Sequence, residues 1–201
     1  MKKIDFYIGR KNLITFLVAS VILLVAMYSF FDNVLYFFAD DTPIDLGDAL
    51  ELNADAFSKV KNGDYVQIKG ITSIQGGNIK KGLLGERHIV YYLNGSSKFI
   101  IESVVKSDDE NVGPSYKTIK GRAYAFKTNK KAKKMFDFFE KSLFISMKED
   151  GFFIEEGVEP RKDYAGLAIF LIFLGLMVAN VVLFVRPLKS DNSDLEEIDE
   201  L

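Results

Sequence analysis

Two stretches of this chain, LITFLVASVILLVAMYSFF at 13–31 and YAGLAIFLIFLGLMVANVVLFV at 164–185, contain no charged side chain. At about 1.5 Å of rise per residue, a helix of either length spans most or all of a bilayer's hydrocarbon, which is about 30 Å thick. Backbone in hydrocarbon has to satisfy its own hydrogen bonds, so a helix is the form open to both. Between them lies 32–163, about the length of one ordinary domain. The 201-residue chain is therefore predicted as span, domain, span.

The segment 1–12 carries Lys2, Lys3, Arg10 and Lys11 against a single Asp5. That resembles the basic start of a secretory signal, but the apolar run behind it is longer than a signal core and ends in the bulky SFFDNVLYFFADD rather than in small residues. An uncleaved anchor is expected. Phe30, Phe31, Tyr36, Phe37 and Phe38 then belong either to the headgroup zone, which favours aromatic rings, or to packing on the domain.

Basic residues near a span stay on the cytoplasmic side. The amino-terminal flank is basic, the flank after the first run has no basic residue until Lys59, and the second run leaves through VRPLK. Arg161 and Lys162 oppose this pattern with fewer charges. The predicted location is the inner membrane of a bacterial cell, with the basic tail 1–12 and the acidic tail 186–201 cytoplasmic and 32–163 periplasmic. The start MKKIDFY lacks the character of a transit peptide.

The second run holds one strongly polar residue, Asn180. Gly175 and Ala179 form a small-xxx-small pair, with Ala168 and Ile172 on the same stripe. Small residues let helix backbones approach, and an amide can hydrogen-bond across the contact. The expected packing face is thus Ala168, Gly175, Ala179 and Asn180. It meets either the chain's own first span, through Ala19, Ser20 and Ala26, or a membrane protein partner or second copy of the chain.

The middle segment reads mainly as strands. TPIDLGD gives turn signals, Asn53 can cap a short helix, and YVQIKGI alternates apolar and polar residues. RHIVYYL and KFIIESVV are joined by NGSS, a hairpin signal, and YKTIKGRAYAF and GFFIEEG complete five strands. A helix capped by Thr128 or Asn129 is expected over 129–147, with the apolar stripe Ala132, Met135, Phe136, Phe139, Leu143 and Met147. The expected fold is a mainly-β (α+β) domain between two transmembrane helices. A small, partly open OB-like Greek-key barrel with one amphipathic helix before the last strand is favoured, because the first strand is long and carries Gly70 midway. A plain sheet capped by a helix is the other option.

The residues exclude several chemistries. There are no cysteines, hence no disulfides, thiolate metal sites or cysteine nucleophile. A net charge of -2 with no basic stripe argues against nucleic acid. His88 is the only histidine, so a transition-metal site lacks ligands, and His88 reads as a surface or capping residue. No Walker, dinucleotide or hydrolase motif is present. SIQGGNIKKGLLGE is read as a flexible glycine-rich loop between strands, and Asp108, Asp109 and Glu110 as a solvated cluster without calcium-loop spacing. No catalytic residue, cofactor or metal is therefore expected. The most suggestive stretch is KTNKKAKKMFDFFEKS. Lys130, Lys131, Lys133 and Lys134 crowd a helix start, where the macrodipole disfavours positive charge. They are either a solvated end or a contact for anionic lipid or an acidic partner.

The order span, β domain, span is similar to that of a family of oxidase assembly factors, in architecture alone. The tryptophan-containing segment of that family has no counterpart in a chain without tryptophan. The single-span haem chaperone of cytochrome c maturation also has an OB-type domain, but His88 does not stand at its haem-binding position. No residue is carried over from either. The function expected is a non-enzymatic two-pass scaffold, accessory subunit or assembly factor of a membrane protein complex. The alternative is a lipid- or small-ligand-binding envelope module using the barrel mouth and the basic helix.

Overall fold

A computed structural model describes residues 2–81, 86–105 and 114–185. Asp108, Asp109, Glu110, the acidic tail and the side chains of Lys2, Lys3, Arg10 and Lys11 lie outside what is described. The elements are α1 (Lys2–Phe37), β1 (Ile44–Asp48), α2 (Ala54–Lys59), β2 (Tyr65–Lys81), β3 (Glu86–Leu93), β4 (Phe99–Val105), β5 (Tyr116–Ala125), α3 (Lys130–Ser142), β6 (Phe152–Glu156) and α4 (Tyr164–Val185). Both α1, over Leu13–Phe37, and α4, over Tyr164–Phe184, are long and apolar enough to cross a membrane. The chain divides into two compact units, Met1–Asp32 with Ala165–Leu201, and Asn33–Tyr164.

The second unit is a closed five-strand barrel of mixed sheet. Neighbours run β2-β3-β4-β6-β5, and β5 returns to β2 to close the ring. β4 and β6 are parallel, and the other pairs in the ring are antiparallel. Closure replaces the partly open barrel expected above, and it depends on the length of β2. Residues 65–71 of β2 pair with β5 and residues from Thr72 onward pair with β3, so one strand serves both sides of the seam. Gly70 stands beside that handover, where an added Cβ would lie 3.0 Å from the Ala49 Cβ.

Two expectations are corrected. The glycine-rich SIQGGNIKK is not a loop. It continues β2 to Lys81 and pairs with β3, because the short side chains let the strands close in; a Cβ on Gly76 would lie within 2.2 Å of the Val90 carbonyl oxygen. The turn-rich IDLGD is a sixth strand, β1, parallel to β2. Its turn chemistry is present, since Asp45 and Asp48 accept from the backbone N–H of Gly47 and Leu50, but Leu46 between them is fully buried in the barrel core.

Strand alternation splits the core in two. Inward residues, among them Ile68, Tyr91, Phe99, Ile101, Ile119 and Ile154, fill the barrel. Outward Val90, Ile100 and Phe153 pack under α3 against Ala132, Phe139 and Met147. All six residues of the expected apolar stripe belong to this second cluster. The helix is capped as expected, with Asn129 Oδ1 accepting from the N–H of Lys131 and Ala132. It stops at Ser142 rather than 147 because Phe144 turns left-handed at φ 56°.

In the first unit α1 and α4 are antiparallel, as their contacts show: Phe16 stacks on Phe184 at 4.2 Å and Phe30 meets Phe173 at 6.0 Å. Asn180 Nδ2 donates to Ser20 Oγ at 3.0 Å and to the Phe16 carbonyl at 3.4 Å.

Candidate functional site

The contacts of α4 separate residues that the sequence placed together. The side facing α1 carries Phe173, Asn180 and Phe184. Ala168, Gly175 and Ala179 are exposed, and a Cβ on Gly175 would meet open space. At 100° per residue the small stripe lies on roughly the opposite side from the aromatic one. Aromatic stacking and one half-buried amide thus hold the helix pair, through Ser20 as the sequence suggested, while Ala168, Gly175 and Ala179 take no part.

The four lysines at the start of α3 also divide. Lys130, Lys133 and Lys134 are exposed. Lys131 instead turns onto the barrel, where its Nζ pairs with Glu102 Oε2 at 2.8 Å and with Glu155 Oε1, over the ring of Phe153. Strand register explains the acidic pair, because Glu102 of β4 and Glu155 of β6 are direct neighbours, both facing outward. Glu102 is only 4% exposed, and on its other side His88 Nδ1 stands 3.0 Å from Oε1. His88 is therefore not a surface residue. Beyond Glu155 its register partner Arg122 lies buried with its guanidinium 4.2 Å from the Tyr36 ring, and it donates to Asn33 Oδ1 at 2.9 Å. A row of ionisable side chains, with Glu102 and Arg122 buried and His88, Lys131 and Glu155 half-buried, therefore crosses the outer face of the barrel. Sequence reasoning missed this row; the signal for it was an ionisable residue one step outside the apolar run of β3, β4, β5 and β6 alike.

At the end of the barrel Tyr91, pointing inward, donates to Glu156 Oε2 at 3.0 Å, and Lys117 Nζ reaches the same carboxylate at 2.9 Å. Burial, followed by the nearby Glu156 charge, raises the Tyr91 hydroxyl far above the usual tyrosine range. This mouth is occupied by a mutually satisfied triad. A groove of about 370 Å³ beside α3, lined by Phe126, Lys127, Lys133, Phe136, Asp137 and Glu140, mixes both signs of charge and selects no ligand class. Among the described residues no group of three or more His, Asp or Glu side chains could hold a metal ion.

The two ends of the barrel domain meet. Arg161 N–H donates to the Phe37 carbonyl at 3.2 Å, Tyr36 hydroxyl donates to the Val158 carbonyl at 2.7 Å, and Arg161 pairs with Asp41 at 3.5 Å. Of the aromatic residues expected at the headgroup zone or on the domain, Tyr36 is thus packed on the domain, while Phe31 and Phe38 are exposed.

No family model, curated protein or solved structure matches this chain.

Proposed function

We propose that this chain is a two-pass inner-membrane protein with both termini cytoplasmic. Its barrel is then a non-enzymatic periplasmic scaffold or accessory subunit for a membrane protein complex. The observation that carries this reading is the junction: Asn33–Phe37 and 158–161 are hydrogen-bonded to each other, so the chain enters and leaves the domain at one place. A domain held between two antiparallel membrane helices needs that geometry, and a domain on a single tether does not. Barrel topology supports an OB-like label: counting from β2, the ring order is 1-2-3-5-4-1 with the third and fifth strands parallel. The exposed stripe of Ala168, Gly175 and Ala179 supports a helix partner in the membrane, since small residues admit close backbone approach.

The test is purification of the intact protein from its native membrane in mild detergent, with mass spectrometry of what accompanies it. A stoichiometric membrane protein, lost from a Gly175→Leu variant, is the expected result. Recovery of free monomer alone from both proteins would reject the reading.

A further inference from the structure

The end of α3 carries a side chain that its fold does not use. Leu143 N–H donates to the Phe138 carbonyl and Ile145 N–H to the Phe139 carbonyl, and between them Phe144 adopts φ 56°. Helices close this way with glycine, because a Cβ in the left-handed region is strained. The ring gains nothing in return inside the domain, being 89% exposed. On the solvent side of the same helix, spacing of three and four residues lines up Lys130, Lys134, Phe138 and Lys141 in one exposed ridge that runs toward Phe144. Lys141 pairs with Asp137, whereas Lys130, Lys133 and Lys134 have no carboxylate partner among the described residues. These three also crowd the helix start, where the macrodipole opposes them. Neither the ring nor the charges serve the stability of the domain.

We propose that this ridge docks on the surface of a bilayer containing anionic lipid, with the lysines at the headgroups and Phe144 entering the boundary between headgroup and acyl chain. Basic residues flanking exposed aromatic rings on an amphipathic helix suit an interface of this kind. A protein partner would be met better by a contiguous apolar centre, and here Lys141 separates the two rings. The inference rests on the membrane reading above, since a chain anchored in a bilayer meets that surface at high effective concentration.

Absence of tryptophan makes the test direct. Full-length Phe144→Trp protein is placed in nanodiscs of phosphatidylcholine alone or with added phosphatidylglycerol, and the single indole is read by emission wavelength and by quenching from bromo-acyl lipid. The expected result is a blue shift and several-fold quenching in the anionic discs only, both abolished when Lys130→Glu and Lys134→Glu are added. An indole that stays in water in both discs overturns the docking, as does an equal shift in both, which needs no lysine. A blue shift without bromolipid quenching, appearing only when an acidic protein co-purifies, replaces the bilayer with that protein. Failure of the chain to incorporate into discs at all overturns the inference together with the two-pass reading; incorporation with a solvated indole overturns the docking alone.

Discussion

Lys131 and Tyr91 show how much depends on single side chains. Lys131 neutralises Glu102 and Glu155, two carboxylates that strand register forces side by side. Lys131→Met leaves buried Glu102 beside half-buried Glu155 with no lysine between them, and a loss of about 1–3 kcal/mol is expected, below the range for fully buried pairs because Lys131 is partly open to water. Lys134→Met, on the exposed side, is expected to change stability by less than about 0.5 kcal/mol. Urea unfolding of the two variants checks the contrast, and adding Glu102→Leu to Lys131→Met is expected to restore part of the loss. Tyr91 supplies a pH signature. Its hydroxyl is held neutral by burial and by Glu156, so its folded pKa lies above the unfolded value of 10.0. The sign follows: the folded state keeps a proton that the unfolded state releases, so this stability is complete below about pH 10 and declines above it. Tyr91→Phe removes the titration and is expected to flatten the alkaline limb of a stability–pH curve, while costing about 1 kcal/mol at neutral pH for the lost hydrogen bond.

Among the elements, β5 and β6 approach each other so tightly that Gly121 is confined. A Cβ there would lie 2.0 Å from the Glu155 carbonyl oxygen. Gly121→Ala is expected to prise the two strands apart, costing about 3 kcal/mol or preventing folding, as overpacking against backbone does; thermal melting followed by circular dichroism reads it. Five strands, the cap at Asn129 and the stripe under α3 were legible in the sequence because each rests on local alternation or helical spacing. β1 was not, because Asp45, Gly47 and Asp48 do make turns and only the long-range burial of Leu46 makes the segment a strand. The extension of β2 through Gly76 and Gly77 was hidden for the same reason, since glycine reads as loop until a partner strand is seen to approach it. In α4 the polar and small residues were legible, but not that they lie on different sides. Nor could the row from His88 to Arg122 be read, because its members come together only through register between strands distant in the chain.

For the whole molecule, the absence of cysteine gives a clean test of orientation. Thr128→Cys and Lys148→Cys, both exposed on the barrel domain, are expected to react with a membrane-impermeant maleimide in intact spheroplasts, and Ser190→Cys only after lysis. The reverse pattern would invert the proposed topology. The meeting of the barrel's two ends also has a mechanical consequence. Tension applied at residues 33 and 164 loads the Arg122–Asn33, Tyr36–Val158 and Arg161–Phe37 hydrogen bonds directly. In a force-clamp measurement these contacts are expected to part as a low-force step before the barrel yields, so that the junction acts as a mechanical fuse.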